Sequence, residues 1–370
     1  MAALEQALVC ARCAGALTFP ETGIVCARCG QKYPRVGRIA VLLPRPDDHV
    51  NLWRQQLALL IAQSEHMRAG LEAEASSPGV LGDGQTRLRT LAKAVDDQIR
   101  EIDHVVRPAL GGPLPPTQGV GLPRGVVENL YFLYRDWGWQ DGASPENQRS
   151  LDAVREVLGG ESLGRTLVVG AGGCRLAYDL HRSCGASDTV VVDIDPYLFL
   201  VAEAVVRGRS VRLTESSPTV QHLGHIAQSW TLRAPAGPLD EACFHFFLAN
   251  GLAPPFAKGT FDTIVTPWFI DQVPTDLPAF LGTANRLLRP GGRWLNHGPL
   301  VYPADAPLAR KFSCEEVFAL AAQAGFALGR TSEASHPHLV SPLTGRGKVE
   351  SVLTFVAAKV GESKVGEPHG

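Results

Sequence analysis

Two clusters of residues in this chain have types and spacings that can do chemistry. Cys10-Ala-Arg-Cys13 and Cys26-Ala-Arg-Cys29 are Cys-x-x-Cys knuckles separated by twelve residues. Together they offer four thiolates, the set that tetrahedral zinc takes in closed structural sites with no open position for catalysis. So small a segment cannot fold on its own apolar burial, and a bound metal would supply much of its stability. The second cluster begins with Thr166-Leu-Val-Val-Gly170-Ala171-Gly172-Gly-Cys174-Arg175-Leu, an apolar run that ends in a glycine-dense turn and passes into a helical pattern. About twenty residues on, Thr189-Val-Val-Val-Asp193-Ile-Asp195-Pro is a second strand-like run ending in a carboxylate. Glycines let a ligand approach the backbone, a helix N-terminus favours negative charge, and an acid at the next strand end can bind ribose hydroxyls. The chemistry implied is binding of a nucleotide-like cofactor. Asp193 also reads as a strand-end cap, which would leave Asp195 as the ribose ligand.

The chain that must position these groups has 370 residues, 45% hydrophobic and 19% charged, with a formal net charge of −2. That is room for more than one domain in a globular protein. No global basic field favours nucleic acid. No apolar run is long enough to span a bilayer and the N-terminus lacks a signal pattern, so the cytoplasm is the expected address and no membrane partner is expected. Four of the eight cysteines are scattered singly (Cys174, Cys184, Cys243, Cys314), which suits a reducing compartment better than a disulfide framework.

Composition divides the chain into a zinc ribbon (1–47), a helical segment (48–128), a main domain (129–360) and a disordered tail (361–370). In the helical segment Leu88, Leu91, Val95, Ile99, Ile102 and Val106 step by three or four and form one apolar face. Such a pair of helices reads as packing on the main domain, with a lid or partner-docking role as the functional alternative. From Asn147 onward strands and helices alternate, which predicts an α/β fold with a parallel, doubly wound sheet. His336-Pro-His338 reads as a loop.

Three further pieces follow the glycine turn: Phe247-Leu-Ala-Asn250 before Gly259-Thr-Phe261-Asp262, a helical run ending in Arg289-Pro-Gly-Gly292, and a closing helix and strand (Val349 to Ala358). This order resembles the Rossmann-like methyltransferases that use S-adenosyl-L-methionine. The resemblance implies that Gly170, Ala171 and Gly172 hold the methionine end of the cofactor, that Asp193 binds its ribose, and that Asn250, which also reads as a plain turn residue, reads its adenine. Thr266 is expected at the same edge. Arg124, Arg135, Arg149 and Arg175 are the candidates for the cofactor carboxylate. The first fifty or so residues resemble the small zinc-ribbon activators of tRNA and protein methyltransferases. Holding its own chain, recruiting substrate and docking a protein partner are therefore all open uses for the ribbon.

Trp268-Phe269-Ile270-Asp271 follows the fourth strand, where ligands of open α/β sheets bind. Trp294-Leu-Asn-His297-Gly-Pro-Leu-Val-Tyr302 reaches the same edge. With Arg135-Asp136-Trp137, these segments resemble the carnosine N-methyltransferase family, patchily over residues 129–358. That resemblance implies an N-methyltransferase acting on an imidazole or related amine of a small molecule or peptide. Asp271 would orient the acceptor, and Trp268, Phe269, His297 and Tyr302 would form its surroundings. Asp271 also reads as an N-terminal cap for a helix starting near Thr275. Cys174 stands where that family has glycine, Pro303 where it has histidine, and Gly345-Arg-Gly-Lys348 where it has a tyrosine-rich stretch. A protein or tRNA methyltransferase using its fused ribbon, and a non-catalytic module that senses the cofactor, remain as alternatives.

Overall fold

The computed structural model describes residues 2–21, 23–117, 126–139 and 144–361. A first turn of helix, α1 (Ala2–Glu5), precedes a three-stranded ribbon of β1 (Leu17–Thr18), β2 (Ile24–Cys26) and β3 (Lys32–Tyr33). Strands β4 (Arg35–Val36) and β5 (Ile39–Leu42) follow at once. A polar helical hairpin comes next, α2 (Pro46–Ala75) and α3 (Gly82–Leu110). Leu88, Leu91, Ile99, Ile102 and Val106 are buried along α3, as their spacing requires, and Trp53, Leu57, Ile102 and Val106 join one core with α7 (Pro196–Val206). Among the described residues no helix is long and apolar enough to cross a membrane.

After α4 (Val126–Leu133) the helix widens into one π-helical turn, Tyr134–Gly138. Then come α5 (Pro145–Leu158), β6 (Gly164–Val169), α6 (Arg175–Ser183), β7 (Ala186–Asp193) and α7. A separate hairpin of β8 (Val211–Ser216) and β9 (Ala227–Leu232) is inserted before β10 (Phe244–Ala249). The chain closes with β11 (Phe261–Pro267), α8 (Leu277–Leu287), β12 (Leu288–Gly298), α9 (Cys314–Gln323), β13 (Phe326–His338) and β14 (Lys348–Lys359).

The main sheet has the order β13-β14-β12-β11-β6-β7-β10-β5-β4. From β12 to β5 neighbouring strands run parallel, and β14 is antiparallel to both β12 and β13. The expected doubly wound α/β sheet is therefore present, with a reversed strand near one edge. Two details depart from expectation. His336-Pro-His338, read as a loop, is the end of strand β13, which pairs with β14 along most of its length. Its outward-facing polar residues and Pro337 hide the strand, and proline is tolerated there because β13 is an edge. At the other edge Ile39–Leu42 lies parallel to β10, and Leu4, Leu8, Ile24 and Tyr33 share a core with Phe256 and Phe261. The ribbon is thus built onto the main sheet. The tail expected at 361–370 lies, beyond Gly361, outside the described residues.

Candidate active site

A cavity of about 660 Å³ opens at the carboxyl ends of β6, β7, β10 and β11, within the range of small-molecule sites. Gly170 and Gly172 adopt φ of 69° and 53°, left-handed values that glycine holds without strain. A Cβ on Gly170 would come 2.7 Å from the Phe269 ring, and one on Gly173 would run into the Asp136 carboxylate; at Gly172 it would meet nothing within 4 Å. The turn is bare where it faces the cavity and closely backed elsewhere. Cys174 keeps the left-handed conformation (φ 66°) despite its side chain and leads into α6.

The turn is tied to the next strand. Gly172 N donates to Asp193 Oδ2 at 2.8 Å, while Asp193 Oδ1 accepts from Ile194 N at 2.7 Å and Asp195 N at 3.0 Å. Burial pushes the Asp193 carboxyl above its ordinary value, and these backbone donors pull it back. Asp195 is the N-cap of α7, accepting from Tyr197 N and Leu198 N at 2.8 and 3.2 Å, and from Asn129 Nδ2 at 3.1 Å. Burial and the neighbouring Asp193 push it up to about 6. Of the two acids, Asp195 is the helix cap and Asp193 the strand-end group beside the glycine turn. Asn250 also lines the cavity, its Oδ1 accepting from Leu252 N at 3.0 Å, so it is a turn residue and a wall residue at once.

Arg135 and Arg175 both line the cavity. Arg175 donates from Nε to Asp179 Oδ2 (2.8 Å) and from Nη1 to Asp136 O (2.7 Å). Arg135, on the π-helical turn, donates from Nε to Asp136 Oδ1 (2.7 Å), with Nη1 3.6 Å from Glu146 Oε1. Arg149 is exposed and Arg124 lies outside the described residues. Thr266 is placed differently from expectation. It is buried inside the sheet, donating to Asn296 Oδ1 (2.9 Å) and accepting from Trp294 Nε1 (2.9 Å), and it does not line the cavity.

On the acceptor side, Trp268 has a left-handed φ of 51°, and its N–H donates to His297 O at 2.8 Å. Gly298 makes this approach possible, since a Cβ there would lie 2.9 Å from Trp268 N and Cα. The Trp268 ring stacks on His338 with centroids 4.2 Å apart and planes 19° from parallel. Phe269 packs edge-on against Phe280. Asp271 lies in a 3-10 turn, Ile270–Gln272, and is 2% exposed. It does not cap α8, whose N-cap position is Asp276. Its Oδ2 accepts from Gln272 Nε2 at 3.0 Å, whereas Oδ1 is buried without a partner among the described residues. Burial pushes this carboxyl up to about 6. Asp271 itself stands behind the cavity wall that its neighbours Phe269 and Gln272 form.

His297 is wholly buried, Nδ1 against Thr354 Oγ1 at 2.9 Å and Nε2 unpartnered among the described residues. Burial, with His336 and Arg135 nearby, lowers it to about 3. It lies in the sheet and does not line the cavity. Tyr302 is half-buried and donates to Phe312 O at 2.9 Å; it too lies off the cavity, and burial followed by the charge of Asp271 pushes its hydroxyl up to about 12. Sequence reasoning missed His336 and His338. Both lie on β13, His336 with its ring 5.6 Å from His297 and His338 in the cavity wall. The signal was the polar alternation Ser335-His336-Pro337-His338 ahead of the last strand.

In the ribbon, the thiol sulfurs of Cys10, Cys13, Cys26 and Cys29 all lie within 4.8 Å of one another. Cys10 and Cys29 are 3.7 Å apart, and Cys13 and Cys26 are 3.5 Å apart. Zinc–sulfur bonds of about 2.3 Å put the corners of a tetrahedron roughly 3.8 Å apart, so the cluster fits that ion. Tyr33 OH lies 2.9 Å from Cys10 Sγ, and the backbone N–H groups of Arg28 and Cys29 donate to Cys26 Sγ at 3.4 Å. Such donors steady thiolate ligands from outside the first shell of contacts.

Residues 240–338 match the family model for carnosine N-methyltransferase. The stretch includes Asp271, His297 and Tyr302 and ends at His338. Sheet order, glycine turn and this match agree on one enzyme class, the S-adenosylmethionine-dependent methyltransferases. A search of curated proteins found no match. Among solved structures the chain is similar to N-methyltransferase NodS from Bradyrhizobium japonicum in complex with S-adenosyl-L-homocysteine. That pair is 13% identical over 64% of this chain and 99% of that one, with a TM-score of 0.40. Phosphoethanolamine N-methyltransferase 2 from Haemonchus contortus, in complex with S-adenosyl-L-methionine, is 14% identical over 66% of this chain and 61% of that one, with a TM-score of 0.42. A methyltransferase from Methanosarcina mazei is 16% identical over 55% of this chain and 94% of that one, with a TM-score of 0.38. Likenesses this distant say nothing about the acceptor. For a methyltransferase the chemical content of the site lies in its two ends, a cavity wall of backbone and carboxylates and a buried acid behind an aromatic wall.

Proposed function

We propose that this chain is an N-methyltransferase that uses S-adenosyl-L-methionine to methylate an imidazole-type or related amine nitrogen of a small molecule or peptide. The observation that carries the reading is Asp271: a buried carboxyl with one oxygen unpartnered, at the carboxyl edge of the sheet, beside a cavity fit for the cofactor. Gly170, Ala171 and Gly172 would take the methionine end, Arg135 and Arg175 its carboxylate, Asp193 the ribose and Asn250 the adenine. The cofactor supplies an electrophilic methyl group on a sulfonium sulfur. The protein's task is then to place the acceptor nitrogen in line and to exclude water. A neutral imidazole has one lone-pair nitrogen and one N–H. Asp271 holds the wall residue Gln272 through that residue's Nε2, and an acceptor that displaces this amide would give its N–H to the carboxylate, which would fix the tautomer and raise the basicity of the other nitrogen. Its carboxylate also stabilises the cation that methylation creates and can take the released proton. Trp268 and Phe269 offer aromatic faces, which favour a cationic product. Thr266 is given no part in this scheme, and His297 and Tyr302 support the acceptor side from behind.

The four cysteines are read as a structural zinc site. Its place on the sheet edge supports a role in holding its own chain, ahead of docking a protein or tRNA substrate.

The test is incubation with labelled S-adenosyl-L-methionine and a panel of histidine-containing peptides, whole proteins and tRNA. Transfer to histidine-containing small molecules or peptides is expected. Transfer to tRNA alone would overturn the reading, and cofactor binding without any transfer would favour a sensing module.

A further inference from the structure

Asp271 does not line the cavity, but its neighbour Gln272 does. Gln272 ends the 3-10 turn that begins at the buried Ile270, and its backbone N–H donates to Phe269 O at 3.0 Å. The backbone is therefore fixed while the side chain is exposed. That side chain turns back, Nε2 donating to Asp271 Oδ2 at 3.0 Å. Among the described residues this is the one side-chain hydrogen bond to Asp271. Burial pushes the Asp271 carboxyl up, and the Gln272 bond is the leading influence that holds it down. A carboxamide on a flexible stem is a neutral donor, and an exposed one finds water when it leaves its partner.

Any ring that reaches Asp271 from the cavity must first move this amide aside. An imidazole acceptor replaces the lost bond with its own N–H. In the transfer its lone-pair nitrogen bonds the methyl carbon, the carbon–sulfur bond breaks and the electron pair stays on sulfur. The proton of the other ring nitrogen passes to the Asp271 carboxylate. The products are S-adenosyl-L-homocysteine and a neutral N-methylimidazole, whose second nitrogen has a lone pair and no hydrogen. Once Asp271 has given its proton to water, that product has nothing to donate to it, and Gln272 has. Resting on the proposed function, we propose that Gln272 is the displaceable cover of Asp271, a positioning residue that the acceptor moves aside on entry and that returns to drive the methylated product off. It weakens acceptor and product alike, so it sets how tightly the acceptor is held and leaves the choice between the two to Asp271.

The experiment uses the full chain with S-adenosyl-L-methionine, N-acetylhistidine as acceptor and both ring-methylated N-acetylhistidines as product inhibitors. Gln272→Met keeps the length of the side chain and removes the donor. At about pH 9, where the carboxyl is ionised, the variant should lower the acceptor KM and the product Ki together, each by roughly tenfold, as one hydrogen bond to a charged group allows. Binding of S-adenosyl-L-homocysteine should match wild type. Loss of the donor also raises the Asp271 carboxyl, so the acid limb of kcat/KM should move to higher pH. Glu350 and Tyr302, the other titratable groups that interact with Asp271, are the same in both proteins. A raised KM in Gln272→Met would overturn the proposal, because the amide would then be a contact of the bound acceptor. An unchanged KM, or a KM and a Ki that move by different factors, would overturn it as well. All three results leave the proposed function intact. Failure of folded wild type to methylate N-acetylhistidine or any histidine compound of the panel would remove the proposed function and this inference together.

Discussion

The two ends of the cavity treat their polar atoms in opposite ways. On the nucleotide side each carboxylate already has protein donors: Asp193 holds Gly172, Ile194 and Asp195, and Asp195 holds Asn129, Tyr197 and Leu198. On the acceptor side Asp271 Oδ1, His297 Nε2, His336 Nδ1 and His338 Nδ1 are buried without partners among the described residues. Leaving a buried polar group unmade costs about 1–3 kcal/mol, and folded proteins tolerate such groups where function needs them. Under the proposed function, the end that holds Asp193 is a finished frame that the cofactor would join. The other end keeps its unpartnered polar atoms buried behind the wall, not open to the cavity.

The largest expected effect tests that division directly. Asp271→Ala should lower kcat by about 10²–10⁴, the usual worth of a positioned acid–base group. S-adenosyl-L-homocysteine should bind it as it binds wild type in calorimetry. A parallel loss of cofactor affinity would show that the two ends are one unit.

The same residue should weaken the fold at neutral pH. Its folded-state value, about 6, lies above the ordinary 3.8. The folded chain therefore holds this proton more tightly than the unfolded chain. Whatever stability Asp271 gives is fully present below about pH 4 and is lost as pH rises through 6. A shift of that size corresponds to about 3 kcal/mol. Asp271→Asn should then melt several degrees higher than wild type at pH 8 and alike at pH 4, while being inactive at both. Equal melting at pH 8 would mean that Asp271 finds a partner in solution.

On the opposite side, Asp193→Ala should weaken homocysteine-analogue binding by roughly tenfold, because the ribose loses an acceptor and Gly172 loses its anchor. The acceptor KM should hardly move at saturating cofactor. A larger change in acceptor KM than in cofactor affinity would reverse the assignment of the two ends.

That the glycine turn and Asp193 share one wall was legible in the sequence because the parts are local. A glycine turn, a helix start and the next strand's last residue lie within thirty residues, and each is marked by its own residue types. The acceptor end was half legible. Trp268 to Asp271 follow a clear strand, but the ring that Trp268 stacks on comes from seventy residues later. That ring sits in a polar edge strand which Pro337 disguises. Thr266 was misplaced because a strand's last residues look alike in sequence whether they face the cavity or the sheet interior. The strand Ile39–Leu42 was read with the ribbon, since nothing in a four-residue apolar run says which sheet it joins.

That strand gives the smallest prediction. Metal bound by the four cysteines would fix the ribbon, and the ribbon leads through β4 and β5 to β10, whose final residue precedes Asn250. Stripping the metal with a chelator, or substituting Cys26→Ser, should therefore lower the melting temperature and reach the nucleotide end first. The effect on homocysteine-analogue affinity should sit at the low end of the about 0.5–2 kcal/mol that passes between connected elements, roughly twofold. Asp271, after β11, and His338, on β13, lie on the far side of β6 and β7 from that edge, so acceptor KM at saturating cofactor should be unchanged. If metal removal instead raised acceptor KM and spared cofactor binding, the ribbon would belong with substrate recruitment, and the sheet-edge path would not be what connects it to the site.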